Sequence, residues 1–112
     1  MSLYRAALER SMLPGARRPD ALTLERAEAV CEAALREDLA LDGVHSWGDG
    51  SVCLSFGDQA RRVALTIRGD GASTRLDMDA ALQVTRATGF DLDHLASEMS
   101  LVALYLRRRS FR

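Results

Sequence analysis

Lysine and asparagine are absent from this chain of 112 residues, and Ile67 is its only isoleucine. All 15 basic residues are therefore arginine. The three scarce residue types have AT-rich codons, so we interpret their scarcity as the composition of a GC-rich bacterial genome. The alternative interpretation is selection for the planar guanidinium group, which binds carboxylates and phosphates through paired hydrogen bonds. Nothing in the placement of the arginines along the sequence requires that alternative.

Cysteine is also scarce, and long apolar runs are missing. The two cysteines, Cys31 and Cys53, fall in different predicted elements, whereas a secreted disulfide scaffold carries a denser set. The segment Met1–Arg5 lacks the charged region, apolar run and cleavage site of a signal peptide. No apolar run approaches the ~20 residues that span a bilayer. We therefore expect a reduced cytoplasmic protein without a membrane segment.

The overall composition is that of one folded domain covering residues 1–112. The hydrophobic fraction of 47% is ordinary for a folded globular protein and argues against a disordered chain. The formal net charge of -1 gives no overall bias toward nucleic acid or toward a membrane surface.

Two helices are predicted before any strand. The spacing of apolar residues from Leu3 to Leu13 predicts a short helix, and the segment 14–20 is a linker that lets it move or swap onto a neighbouring molecule. A second helix is predicted from Leu24 to Leu39. Thr23 is expected to be its N-cap, and the pair Asp42-Gly43 is expected to stop it.

The hydrophobic period then changes to two, which indicates β-strands. A short first strand from Val44 to Trp47 is followed by alternating segments that are separated by glycine turns. The predicted fold class is α+β, an antiparallel meander of three to four strands packed against N- and C-terminal helices. The positions of the central strands that are expected to face the core are Val52, Leu54, Phe56, Val63, Leu65 and Ile67.

The end of the meander is less clearly defined by the sequence. Leu76 and Met78 alternate with charged residues, which are expected on the polar face, where arginines and aspartates pair across strands. The segment 80–88 suits a short helix ended by a glycine, and the alternative is a strand that continues toward Val84.

The final helix, predicted from Leu92 with Asp91 as its N-cap, is apolar on two faces. Leu101, Leu104 and Tyr105 form the second face, and we expect them to lie in the interface of a homodimer. The first face, which seats the helix on the core, consists of Leu92, Leu95, Ala96, Met99, Val102, Ala103 and Leu106.

No set of residues forms a recognisable catalytic, metal or cofactor site. His45 can lie across a hairpin from Cys53, which is the one nucleophile–base pair that the sequence allows, but a structural cysteine is the preferred interpretation. Neither His45 nor His94 has the spacing to other ligands that a metal site needs. The glycine turns lack the residues of a calcium or phosphate loop. We therefore predict a protein that is not an enzyme and binds no cofactor.

The arginine-rich end, 107–112, is the one run of charge. It supports an alternative function, a small regulator that contacts nucleic acid through these arginines, with Phe111 stacking on a base. We prefer a simpler interpretation, in which the arginines offset the helix dipole, because the rest of the chain adds no basic face.

Two stretches, Trp47 to Phe56 and Phe90 to Leu95 with the helix that follows, carry a family resemblance. Together with the order of elements, they resemble the class I chaperones of type III secretion. The resemblance implies a homodimeric cytoplasmic protein that keeps the N-terminal segment of a secreted effector unfolded, through apolar patches and strand addition. The residues themselves also favour a small dimeric chaperone or adaptor, in which Trp47 and Phe56 contact the partner's peptide segment.

Overall fold

The computed structural model of the chain consists of an antiparallel sheet with two helices. The residues that the structure describes are 10, 15, 17–39, 41–46, 48–57, 60–68 and 73–107. The helix predicted from Leu3 to Leu13 lies outside these residues apart from Arg10, which is helical.

The fold class is α+β, as predicted, with five strands instead of three to four. Each strand pairs antiparallel with its neighbour in the chain, so the strand order is that of the sequence. A short 3-10 helix, Leu92–His94, precedes the last helix, and Asp91 caps it as predicted. The elements are α1 (Ala21–Arg36), β1 (Leu41–Ser46), β2 (Val52–Gly57), β3 (Arg62–Ile67), β4 (Ser73–Met78), β5 (Val84–Gly89) and α2 (Leu95–Arg107).

Helix α1 begins earlier than predicted because its cap is Asp20 and not Thr23. The Asp20 carboxylate accepts a hydrogen bond from the Thr23 backbone N–H at 2.8 Å, which satisfies one of the unpaired amides of the first turn. Thr23 itself is buried within the helix. The helix also ends earlier, at Arg36, because the chain leaves it through Asp38 in a left-handed conformation with a φ of 62°.

Both helices pack on the same face of the sheet and enclose the core. The six residues of β2 and β3 that were predicted to face the core are all fully buried. A one-residue slip of either strand would have turned its three residues to the opposite face, so their place in the core beneath the helices confirms the predicted facing. The helices contribute to this core chiefly through Ala27, Val30, Ala34, Met99, Val102 and Ala103.

The prediction of a short helix over 80–88 was wrong, because residues 84–89 form the fifth strand. Asp79 explains the difference. Its carboxylate accepts hydrogen bonds from the backbone N–H groups of Ala81 and Gln83, at 2.9 and 3.0 Å, and holds a turn that sends the chain back along β4. The first strand is also longer than predicted, since a bulge lets it begin at Leu41.

The pairing of β3 with β4 reverses the face that was predicted for β4. Arg75 lies opposite Leu65, and Asp77 lies opposite Val63, so the charged residues lie on the core face. The apolar Leu76 lies on the other face. Arg75 and Asp77 are tolerated there because each neutralises the other, with the Arg75 Nε donating to the Asp77 carboxylate at 2.7 Å.

Candidate functional site

Helix α2 presents two leucines to solvent. Leu101 is 54% exposed and Leu104 is 66% exposed, whereas Met99 and Val102, on the opposite side of the helix, are fully buried. The second apolar face that the periodicity predicted therefore exists on this helix. Among the described residues, these two leucines are the exposed large apolar side chains of α2.

A groove of about 400 Å³ separates this helix face from the edge strand β5, and we call it the α2–β5 groove. Strand β5 contributes nothing to the core, because none of its six residues is buried. Its wall of the groove carries Arg86 and Thr88, and the facing helix carries Glu98. The lining residues are Arg75, Asp77, Arg86, Thr88, Gly89, Glu98, Leu101, Leu104 and Tyr105.

The floor of the groove is the buried ion pair of Arg75 and Asp77. Two hydrogen bonds, of 2.7 and 3.2 Å, join the guanidinium to the carboxylate, and the two side chains are 10% and 3% exposed. Opposite charges two residues apart on one strand are the sequence signal for this pair, since such residues share a face. The sequence interpretation missed it because it placed both residues outside.

Tyr105 makes side-chain contacts within the chain, whereas the side chains of Leu101 and Leu104 are largely exposed to solvent. Its hydroxyl donates to the Met78 carbonyl at 3.2 Å, and its ring lies 5.5 Å from the Arg61 guanidinium carbon and 5.8 Å from that of Arg75. These contacts fix the last turns of α2 over β4. Of the three predicted interface residues, Leu101 and Leu104 are exposed and Tyr105 is half-buried.

Two further exposed leucines are Leu35 on α1 and Leu41 on β1, the other edge strand of the sheet. Leu35 on α1 is 74% exposed and Leu41 on β1 is 37% exposed. Helix α2 contacts the opposite flank of α1, where the Ser100 hydroxyl donates to the Glu37 carboxylate at 3.0 Å. Leu35, two residues before Glu37, therefore lies on a flank of α1 that points away from α2.

The two residues predicted to contact a partner have different positions. Trp47 follows the last residue of edge strand β1 and lies outside the described residues. Phe56 is fully buried in the core, where β2 packs beneath the helices. The structure therefore places the Phe56 side chain in the core and not on a surface that a partner reaches.

His45 and Cys53 are directly opposite each other in the β1–β2 ladder, as the predicted hairpin requires. Cys53 is buried, because its neighbours in the sheet leave only 2% of it accessible. Burial raises the pKa of the Cys53 thiol, and it raises the pKa of Cys31 to about 11. Both groups are therefore thiols at neutral pH, whereas a nucleophilic cysteine must be a thiolate.

The described residues contain no group of three or more His, Cys, Asp or Glu side chains placed to hold a metal ion. None of the described helices is long and apolar enough to cross a membrane. In the arginine-rich end, Arg107 donates to the Glu37 carbonyl, and residues 108–112 lie outside the described part of the chain. Comparison of the chain with protein-family models, with curated proteins and with solved structures gives no match.

Proposed function

We propose that this protein is a small, non-enzymatic chaperone or adaptor that dimerises and binds an extended segment of a partner protein. One observation supports the proposal: exposed leucines accompany both edge strands, with Leu101 and Leu104 on the helix that faces β5 and Leu41 on β1 itself. An edge strand offers unpaired backbone groups, and neighbouring apolar side chains select the sequence that pairs with it. Two such edges give the molecule two separate docking surfaces.

The α2–β5 groove is the proposed dimer interface. Leu101 and Leu104 provide its apolar area, and a surface of this kind is unusual on a monomer. Arg86 on one wall and Glu98 on the other give the groove both signs of charge. A twofold axis places the same surface on both subunits, so such a mixed surface can be complementary to a second copy of itself.

The β1 edge is the proposed site for the partner's segment. A strand added to β1 would lie next to Leu41. We propose that it also reaches Leu35, near the end of α1, so that both leucines supply apolar contacts for its side chains. Trp47, which follows β1, is the chain's only tryptophan and is expected to respond to the added strand. The resemblance to class I chaperones of type III secretion makes the N-terminal segment of a secreted effector the proposed partner, and the cytoplasm the proposed location.

Two matched substitutions separate these surfaces. Leu104→Arg and Leu35→Arg each place a charge at an exposed leucine of a helix, so neither is expected to disturb the core. By sedimentation velocity, the parent chain and Leu35→Arg should be dimers, and Leu104→Arg should sediment as a 12.3 kDa monomer. A parent chain that stays monomeric at micromolar concentration, or a dimer that survives Leu104→Arg, would contradict the proposed interface.

Partner binding is measured with the same two variants. Proteins captured from the native host are identified by mass spectrometry, and a synthetic peptide of the captured segment is titrated while Trp47 fluorescence is followed. Leu35→Arg should abolish the fluorescence change, and Leu104→Arg should retain it. A turnover activity that is lost in a folded Cys53→Ser or His45→Ala variant would replace this proposal with an enzyme.

A further inference from the structure

A polar recess of about 470 Å³ lies where the segment before α1 meets the turn between β1 and β2. Three arginines line it, Arg17, Arg18 and Arg68, and they come from separate parts of the chain. Two carboxylates, those of Asp20 and Asp49, lie among them. We call this feature the arginine recess. It shares no lining residue with the α2–β5 groove.

Backbone contacts fix the position of Arg17 in the recess. Its N–H donates to the Gly48 carbonyl at 3.1 Å, and it forms a parallel β-bridge with Asp49. Its side chain lies against Gly50, where an added Cβ would stand 3.3 Å from the Arg17 Nε. Gly50 also has a φ of 90°, which disfavours any side chain there. A residue with a side chain at position 50 would therefore strain the turn and press against the Arg17 side chain.

The two carboxylates of the recess already have local donors. Asp20 accepts from the Thr23 N–H at 2.8 Å, and Asp49 accepts from the Ser51 N–H and hydroxyl at 2.9 and 2.5 Å. These hydrogen bonds lower the pKa of both aspartates, so both are ionised at neutral pH. The lining therefore carries three guanidinium charges and two carboxylate charges, a net charge of +1.

We propose that the arginine recess binds a phosphate-type oxyanion. A tetrahedral dianion accepts hydrogen bonds in several directions, and arginines that line one recess from different segments can supply them in the planar, paired geometry that phosphate favours. The recess lies beside the turn that ends β1. A phosphate can therefore arrive free in solution or on a phosphorylated side chain, and both sources present the same group to the same arginines.

Titration of inorganic phosphate into the full chain, at constant ionic strength and with chloride as the reference anion, tests the proposal by calorimetry. We expect saturable binding at one site. Replacing two charge-assisted donors in the double variant Arg17→Gln/Arg68→Gln should weaken it by about tenfold or more. Arg36→Gln, which removes an exposed arginine at the far end of α1, is the matched control and should bind as the parent does.

Amide chemical shifts of Gly48 and Gly50 in the unmodified chain provide a second measurement that does not depend on the variants folding. Phosphate should move both signals along one saturable curve. Absence of saturable binding, or equal affinity in the folded double variant and the parent, would overturn the proposal. Tighter binding of a phosphoserine peptide than of inorganic phosphate identifies a phosphorylated partner as the source, and weaker binding identifies the free anion. A failure here leaves the dimer and strand-addition proposals untouched.

Discussion

Gly57 ends strand β2 in a conformation that a side chain would not fit. Its φ is 120°, and an added Cβ would stand 2.3 Å from the Arg61 carbonyl oxygen. Gly57→Ala should therefore lower the free energy of unfolding by about 1–3 kcal/mol, the usual range for a strained backbone position. Gly43→Ala is the control, because no atom lies within 4 Å of its added Cβ. Similar losses for both variants in urea denaturation would show that the Gly57 turn is not strained.

The buried ion pair in the floor of the α2–β5 groove gives a second residue-scale prediction. Asp77→Leu leaves the Arg75 guanidinium buried without its carboxylate, which should cost about 3–5 kcal/mol of unfolding free energy. The double variant Arg75→Leu/Asp77→Leu removes both charges and should be closer in stability to the parent. Urea denaturation of Asp77→Leu, Arg75→Leu and the double variant measures the coupling energy between the two side chains. Additive losses would mean that the two side chains do not depend on each other.

The contact between His94 and Asp91, in the 3-10 turn that precedes α2, makes the stability of this part of the fold depend on pH. His94 Nδ1 lies 2.7 Å from the Asp91 carboxylate, and this contact raises the pKa of His94. A raised pKa stabilises the fold fully below the unfolded value of about 6.5, and the contribution is lost as pH rises through the folded pKa. The same contact lowers the pKa of Asp91, whose contribution is lost in acid as pH falls through its folded pKa.

We therefore expect His94→Gln to lower the melting temperature at a pH of about 6 more than at a pH of about 8. Asp91→Asn keeps a side chain that can cap the helix but removes the charge that His94 contacts. In this variant the contact should no longer make the melting temperature higher at a pH of about 6 than at a pH of about 8. Thermal melts of the three proteins by circular dichroism measure the effect. A His94→Gln effect that is equal at both pH values would contradict the assigned contact.

At the level of elements, the sequence was sufficient where one face of a strand is buried. Val52, Leu54 and Phe56 alternate with polar or small residues, and a single register places them all in the core. Alternation alone did not determine which face of β4 turns inward, because that choice depends on its pairing with β3. Strand β5 has no alternation to detect, since neither of its faces is buried.

The candidate sites were predictable to different degrees for the same physical reason. The exposed face of α2 follows from spacing within one helix, so Leu101 and Leu104 could be found from the sequence. The arginine recess joins Arg17, Asp49 and Arg68, which only the folded chain brings together. No local pattern marks such a site, and the Gly48-Asp49-Gly50 turn by itself indicated only a hairpin.

For the whole molecule, dimerisation through the α2–β5 groove would couple stability to protein concentration. Association that occurs only in the folded state stabilises it by mass action. The melting temperature of the parent chain should therefore rise with protein concentration across the range in which dimers form. Leu104→Arg should show a lower melting temperature that does not vary with concentration. If the melting temperature rose equally with concentration in both proteins, the association would not occur through this groove.

The meander topology has a consequence for how the chain reaches its native state. Every strand pairs with the strand next to it in the sequence, so each ladder is closed by a short loop. Short loops cost little closure entropy, and local pairing is associated with fast folding for a sheet protein. During folding, β1 to β4 can therefore pair before α2 docks, and α2 then covers a preformed surface of Val63, Leu65 and the Arg75–Asp77 pair.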